Sequence, residues 1–224
     1  MRQKLVPGNQ DSRSFDHEKL IAEGRDLPCL KQLMPCRLGR DFWVFGYGSL
    51  MWNPGFPHAE ARPALLRGYH RRFCIWSHSY RGTPEQPGLV LGLDRGGSCH
   101  GMAFKVGSQE SEWVLDYLHE REMTTRVYHP RLVKLLTAHG PLLGLAFVVD
   151  RHHIQYTGRL DRDATAELIA QAAGERGPCS EYLCNTVEKL EALSIDPGEL
   201  RPLLQLVRDR CQERQQSEWS DPNA

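Results

Sequence analysis

Hydrophobic and polar positions divide this chain into a β-rich middle and helical flanks. The apolar run Phe42-Trp43-Val44-Phe45 ends at Gly46, which predicts a short buried strand that enters a tight loop. Further strands are predicted over residues 65–76, 88–93, 102–106, 127–137 and 142–150. A segment rich in glycine and proline, residues 81–88, predicts a loop between the strands over residues 65–76 and 88–93.

Helical spacing appears in the middle of the chain and again in its last third. Residues 108–122 read as one helix, and Asp163 is placed to cap another that runs to Ala173 and is stopped by Gly174. Strands without regular helical crossovers favour a mixed or antiparallel sheet. The prediction is an α+β fold in which this sheet curls into a barrel with helices packed outside.

The same pattern predicts the domain organisation. Residues 1–40 read as an amino-terminal helical appendage, because their apolar positions are scattered and are interrupted by Gly24 and Pro28. Residues 41–215 carry no repeat, low-complexity tract or linker and are expected to form a single domain. Residues 216–224 are expected to be a flexible tail.

Composition narrows the possible partners and the compartment. Lys plus Arg equals Asp plus Glu, 28 against 28, so nucleic acid and anionic membranes are not expected partners. No apolar run approaches the roughly 20 residues that span a bilayer, and the start resembles no secretory signal. The seven cysteines are odd in number and contain no C-x-x-C pair, which favours free thiols in the cytoplasm. Neither cysteines nor histidines have metal-ligand spacing, so no metal or other cofactor is expected.

A glycine turn follows the first predicted strand. Two glycines two residues apart allow the backbone to turn sharply and to approach a ligand, and successive N–H groups in such a turn can bind an anion. A dinucleotide fingerprint would need a glycine where Met51 stands, and no Walker lysine follows. A strand that simply ends in a tight turn explains the pattern equally well. The candidate binding residues are Phe45, Gly46, Tyr47, Gly48, Ser49 and Leu50.

Glu122 is the candidate catalytic residue. On an ideal helix it lies about 80° from Val114, inside the apolar arc, whereas Glu120 at about 240° points away. A carboxylate on the buried side is costly unless it is paired or functional. Two interpretations stay open: a salt bridge, for example with Arg121, or a general base whose pKa is raised by partial burial.

The glycine turn and Glu122, taken together, resemble the sequence pattern of the ChaC family of γ-glutamylcyclotransferases. The resemblance covers roughly residues 42–206 and rests on the order of several pieces. These are Val44-Phe45-Gly46-Tyr47-Gly48-Ser49-Leu50-Met51-Trp52, Arg71-Arg72-Phe73, Arg81-Gly82-Thr83-Pro84 with Pro87-Gly88, Arg121-Glu122-Met123, Tyr128 with Pro130, and Glu181-Tyr182-Leu183. After the glutamate this chain reads Met123-Thr124-Thr125, which resembles the bacterial branch of the family. Eukaryotic members have Gly-Gly-Tyr at the same place.

This resemblance implies a small closed mixed β-barrel with flanking helices and a metal-independent enzyme. It places the substrate loop on residues 45–50 and the catalytic carboxylate on Glu122, and it implies glutathione as the substrate. The products would be 5-oxoproline and cysteinylglycine. Two alternatives stay open: a non-catalytic γ-glutamyl-binding regulator linked to cation transport, and a cyclotransferase acting on γ-glutamylamines.

Overall fold

The structure, a computed structural model, describes residues 29–34 and 37–220, the last four of these by their backbone alone. Its centre is a closed barrel of five strands in the order β1-β3-β2-β4-β5. The strands are β1 (Phe42–Gly46), β2 (Glu60–Ser77), β3 (Gly88–Val106), β4 (Tyr128–Thr137) and β5 (Gly140–Val149). The expected α+β barrel is therefore confirmed.

The barrel is mixed because one pair of strands runs parallel. Strand β1 pairs antiparallel with β3, where Val44 lies opposite Phe104, and parallel with β5, where Val44 lies opposite Leu145. All other ladders between the barrel strands are antiparallel. The parallel pair closes the sheet, so β1, which leads into the glycine turn, is bonded on both sides and holds that turn rigidly.

Strand β3 corrects one sequence expectation. Residues 88–93 and 102–106 were predicted as two strands, because a polar, glycine-containing stretch separates them; they form one strand of 19 residues. It pairs with β2 almost throughout, with a register shift between Arg67 and Tyr69. Gly96 and Gly97 have positive φ there. The glycines thus accommodate an irregularity within the ladder instead of ending the strand.

Helices pack around this barrel. They are α1 (Leu30–Leu33), α2 (Ser111–Glu122), α3 (Arg162–Gln171), α4 (Cys179–Ala192) and α5 (Leu200–Ser220). A small hairpin of β6 (Ala173–Gly174) and β7 (Gly177–Pro178) joins α3 to α4. The buried face of α2 consists of Val114, Leu115 and Leu118, none of which is exposed. That face is the one that the helical spacing of the sequence indicates.

The ends of the chain are described only in part. In the appendage, Lys31 of α1 forms ion pairs with Glu112 and Asp116 of α2, while residues 1–28 and 35–36 lie outside the described residues. Helix α5 continues to Ser220, which is five residues into the predicted tail; residues 221–224 are not described. The domain boundaries therefore stay predictions. Within the described part of the chain, no helix is both long and apolar enough to cross a membrane.

Candidate active site

The glycine turn leaves strand β1 and bends immediately into a 3₁₀ turn, Ser49–Met51. Both glycines are required by close packing. A Cβ on Gly46 would lie 3.0 Å from the Cβ of Leu50, and one on Gly48 would lie 2.9 Å from the Tyr182 hydroxyl oxygen. Any larger residue would therefore displace its neighbours. Phe45 and Leu50 point into the core, with exposures of 0% and 5%, so only the turn's backbone and its polar side chains can face a ligand.

The turn presents a series of unused backbone donors. Across the described residues, no hydrogen bond has the backbone N–H of Tyr47, Gly48, Ser49 or Leu50 as its donor. Buried N–H groups in folded proteins are nearly always paired. Four successive N–H groups without a partner are donors that suit an anion such as a carboxylate.

Two arginines hold this turn from its sides. Arg71 of β2 donates through Nε to the Tyr47 carbonyl and through Nη2 to the His100 carbonyl at 2.6 Å. Arg121 of α2 donates through Nη2 to the Ser49 hydroxyl at 2.9 Å, and through Nη1 to the carbonyl of Asn53 at 2.8 Å. Helix α2 and the glycine turn are therefore joined directly.

Glu122 is the last residue of α2 and lies at this junction. Its side chain is 15% exposed, and its Oε1 lies 3.2 Å from the Nε of Arg121. Burial raises the pKa of Glu122 above the ordinary value, although the charges of Arg121 and Arg176 oppose that rise. Of the two interpretations of Glu122, the salt bridge is present, yet it does not compensate for burial. The carboxyl therefore retains the property expected of a proton-transfer group.

Three tyrosines lie within range of the charge of Glu122. Tyr47 donates from its hydroxyl to the Phe147 carbonyl at 3.0 Å, and Tyr128 donates to the Leu91 carbonyl at 2.9 Å. The ring of Tyr182 is packed against Phe73 and Trp52. Burial raises the pKa of all three phenols, and the negative charge of Glu122 contributes to each rise. The site is thus a carboxylate among neutral hydroxyl groups, next to a row of free N–H donors.

The structure brings together two of the features predicted from the sequence, the glycine turn and Glu122, and adds four side chains. Arg71, Arg121, Tyr128 and Tyr182 were not predicted as site residues, although each lies within a piece of the family pattern. These residues are far apart along the chain, so the sequence alone did not show that they lie at one site. Glu120, by contrast, is exposed, as its position on the helix predicts.

Two further features border the site. A cleft of about 640 Å³ is lined by Met123 and Tyr128 together with Met34 of the amino-terminal segment, but Glu122 itself does not line it. Among the described residues no group of three or more His, Cys, Asp or Glu side chains is arranged to hold a metal ion. These residues offer a carboxyl group of raised pKa, which suits proton transfer, and a turn with unpaired N–H groups, which suits an anion.

Comparison with known proteins finds similarity to one family of sequences and to enzymes that share one name. A family model described as ChaC-like protein matches residues 42–210. The glutathione-specific γ-glutamylcyclotransferase of Escherichia coli (strain K12) is 36% identical over 167 residues, which are 74% of this chain and 72% of that protein. Glutathione-specific γ-glutamylcyclotransferase 1 of Homo sapiens is 32% identical, over 66% of this chain and 69% of its own.

Solved structures agree on the fold. The crystal structure of a glutathione-specific γ-glutamylcyclotransferase from yeast, in its selenomethionine-labelled form, superposes with a TM-score of 0.70. It is 23% identical in sequence, and the match covers 76% of this chain and 96% of that one. The barrel with its flanking helices is therefore a fold that this chain shares with that protein.

Proposed function

The chain belongs to the ChaC-like protein family, and we propose that it is a γ-glutamylcyclotransferase that acts on glutathione with Glu122 as general acid and base. The observation that carries the proposal is the position of Glu122. Helix α2 ends on this partly buried carboxyl group of raised pKa, and the residue before it, Arg121, binds the glycine turn. Binding of an anion alone would not require that carboxylate.

The reaction needs little beyond positioning and proton transfer. The amine of the glutamyl residue attacks the γ-carbonyl carbon of the same residue, and a C–N bond forms that closes a five-membered lactam. The amide bond to cysteine then breaks, which releases 5-oxoproline and cysteinylglycine. Because nucleophile and carbonyl belong to one molecule, correct orientation supplies effective molarities on the order of 10⁵–10⁸ M.

Glu122 carries the proton between the two nitrogens. The amine is an ammonium at neutral pH and must lose a proton before it can attack, and the ionised Glu122 accepts that proton. The protonated Glu122 then donates to the cysteinyl nitrogen as the amide bond breaks, so the carboxylate is regenerated. The second ammonium proton leaves as the lactam forms and exchanges with solvent. A positioned general acid and base contributes roughly 10²–10⁴-fold to the rate.

The glycine turn orients the substrate for this attack. In our proposal the four N–H groups of Tyr47, Gly48, Ser49 and Leu50 bind the α-carboxylate of the glutamyl residue. The amine shares a carbon with that carboxylate, so it is held toward Glu122. Phe45 and Gly46 support the conformation of the turn. Phe45 is buried in the core, and Gly46 has no Cβ that would prevent the close approach of Leu50.

The decisive test uses glutathione acetylated on its glutamyl nitrogen. This peptide keeps the α-carboxylate, but its nitrogen is an amide and a poor nucleophile, so lactam closure should stop. We expect the enzyme to form 5-oxoproline from glutathione and to release no cysteinylglycine from the acetylated peptide, with both products followed by mass spectrometry.

Two outcomes would contradict the proposal in different ways. Release of cysteinylglycine from the acetylated peptide at a rate comparable to that from glutathione would mean that an external nucleophile cuts the bond. Binding of glutathione without any turnover would instead favour the non-catalytic regulator.

We also propose that the enzyme works in the cytoplasm. The six cysteines among the described residues are all free thiols: Cys29, Cys74, Cys99, Cys179, Cys184 and Cys211. A reducing compartment maintains thiols in that state.

A further inference from the structure

Arg121 uses every nitrogen of its guanidinium group where α2 meets the glycine turn. Its Nε lies 3.2 Å from Oε1 of Glu122, and its Nη2 donates to the Ser49 hydroxyl at 2.9 Å. Its Nη1 donates to the carbonyls of Asn53 and Pro54, at 2.8 Å and 3.1 Å. The side chain is only 12% exposed. A largely buried guanidinium with partners on each of its nitrogens has little freedom to move.

The contact between Arg121 and Glu122 is not one that helix geometry supplies. Successive residues of a helix point about 100° apart, so their side chains do not normally face each other. Arg121 is held from the other side, by the Ser49 hydroxyl and by the carbonyls of the segment after it. Tyr117, one turn earlier on α2, accepts a further hydrogen bond of 2.8 Å from Nη1. The partner of Glu122 therefore has its own position set by the segment that follows β1.

The planar guanidinium connects the carboxyl group to the turn. Nε and Nη2 lie in one rigid plane, so the Glu122 carboxyl and the Ser49 hydroxyl keep a constant separation while both contacts persist. Ser49 also provides one of the four N–H groups that we propose for the α-carboxylate of the substrate. Arg121 thus links the segment that binds the substrate to the group that accepts its proton.

The ionisable groups that influence the Glu122 carboxyl come from several elements packed around it. They are Arg121 of α2, Arg176 of the β6–β7 hairpin, Tyr47 of the glycine turn, Tyr128 of β4 and Tyr182 of α4. The three phenols are neutral, because burial raises their pKa values further. Arg121 contacts Glu122 directly, and its charge opposes the rise that burial causes in the pKa of Glu122.

We infer that Arg121 is a positioning residue that holds the Glu122 carboxyl group in place relative to the glycine turn and favours its ionised form; this inference rests on the proposed function. In this role Arg121 transfers no proton and acts through Glu122 and Ser49. The ion pair then serves the reaction, since only an ionised carboxylate at the correct place can accept the ammonium proton of the substrate.

The first experiment measures how kcat for release of 5-oxoproline from glutathione depends on pH. The rate falls on the acidic side as Glu122 becomes protonated in the enzyme–substrate complex. Arg121→Gln removes the charge that favours the ionised carboxyl, so the acidic limb should move to higher pH, and kcat/KM should fall by roughly 10–10²-fold. Arg121→Lys keeps the charge but not the planar fork, so its acidic limb should move less, although kcat/KM still falls.

The second experiment is a double-mutant cycle with Ser49→Ala, which removes the hydroxyl that Arg121 binds but keeps the backbone N–H. In the unsubstituted enzyme this change should lower kcat/KM roughly tenfold, the size of one hydrogen bond to a charged group. In the Arg121→Gln enzyme it should change kcat/KM little, because the contact is already lost.

The control is Arg201→Gln, which removes a positive charge from an exposed ion pair of α5, where Arg201 pairs with Glu191. This variant should keep the acidic limb and kcat/KM of the unsubstituted enzyme. Circular dichroism checks that each variant is folded. If Arg121→Gln does not fold, Arg121→Lys replaces it in the cycle with Ser49→Ala, where the two effects should again be less than additive.

Three results would overturn the inference. They are an acidic limb that Arg121→Gln leaves in place, additive effects in the cycle, and a folded Arg121→Gln variant as inactive as Glu122→Gln, since loss of a positioning residue leaves the base present. Each would leave the proposed function standing, because the unsubstituted enzyme would still convert glutathione. Absence of 5-oxoproline from glutathione with the unsubstituted enzyme would overturn the proposed function and this inference with it.

Discussion

At the scale of single residues, Glu122 lowers the stability of the fold at a position where we propose that it acts in catalysis. Its carboxyl group is partly buried and has a raised pKa, so in the folded protein the ionised form is less favourable than in the unfolded chain. Its contact with Arg121 does not remove this cost, and Arg121 has the Ser49 hydroxyl and the Asn53 carbonyl as further acceptors. A partly buried acid whose desolvation its surroundings do not fully compensate is more readily explained by catalysis than by packing.

Replacement of Glu122 by Gln should remove turnover and leave the fold intact. Glutamine keeps the shape of the side chain but cannot accept the ammonium proton, so kcat should fall by roughly 10²–10⁴-fold. The measurement is release of 5-oxoproline from glutathione, with circular dichroism as the check on folding.

The matched control is Glu120→Gln, on the same helix but exposed, which should retain nearly full activity. If Glu120→Gln abolished turnover while Glu122→Gln left it unchanged, the assignment of the catalytic carboxylate would be wrong.

At the scale of elements, the site is a junction between the turn after β1 and the end of α2. Arg121 connects the two through Ser49, Asn53 and its own helix neighbour Tyr117, whose hydroxyl lies 2.8 Å from Nη1. Helix α4 completes the junction, because Tyr182 on its first turn lies against Gly48. Three elements that are distant in sequence therefore fix the position of the glycine turn relative to the carboxyl group of Glu122.

Replacement of Gly48 by Ala should disturb this junction. The new Cβ would lie 2.9 Å from the Tyr182 hydroxyl oxygen, and the Tyr182 ring cannot easily retreat because Phe73 and Trp52 pack against it. We expect a loss of about 1–3 kcal/mol in the free energy of unfolding, measured in urea, and a marked fall in kcat/KM for glutathione.

Gly107→Ala provides the comparison, since a Cβ at that position meets no atom within 4 Å. If the Gly48 and Gly107 variants had the same stability and activity, close packing at the turn would not explain the glycine.

At the scale of the whole molecule, a buried charge cluster joins the β2–β3 ladder to the segment after β5. Asp94 of β3 is 1% exposed and accepts hydrogen bonds from Nε of Arg151 and, at 2.9 Å, from the Tyr156 hydroxyl. It also forms an ion pair of 3.5 Å with Arg72 of β2. Burial alone would raise the pKa of Asp94, but the hydrogen bonds from Arg151, Tyr156 and the Arg95 N–H lower it below the usual value.

Replacement of Asp94 by Asn should therefore destabilise the fold in a pH-dependent way. Because the folded-state pKa is lowered, the stabilisation by Asp94 is present above the unfolded value of 3.8 and is lost as pH falls through the folded value. At pH 7 we expect a loss of about 1–3 kcal/mol in urea unfolding, which should shrink in strongly acidic buffer.

Asp209→Asn, at an exposed position of α5, serves as the reference and should cost little at either pH. A difference between the Asp94 variant and the unsubstituted protein that stayed constant down to the lowest pH would rule out ionisation of Asp94 as its source.

The sequence by itself indicated the candidate site. Its helical spacing placed Glu122 on the inner face of α2 and Glu120 outside, because a helix repeats every 3.6 residues whatever it packs against. Its glycines marked the turn after β1, and the ordered pieces that resemble the family indicated a closed mixed barrel. Boundaries were less certain: Asp161, two residues before the predicted Asp163, accepts the capping hydrogen bond from Ala164 N–H, and α3 ends at Gln171. Local signals fix an element's type better than its end.

Only the tertiary structure decided what surrounds the carboxylate. The glycine turn, β4 and α4 each contribute one tyrosine: Tyr47, Tyr128 and Tyr182. The charge of Glu122 raises the pKa of all three, and it can do so only because the β1–β5 pair closes the barrel and brings these elements together. The raised pKa of Glu122 also depends on that closure, since burial is a property of the assembled fold. The continuous strand β3 has the same origin, because β2 supplies the ladder partners that hold the glycine-containing stretch extended. Spacing along the chain encodes a face of a helix, but contacts between distant elements arise only when the whole barrel is formed.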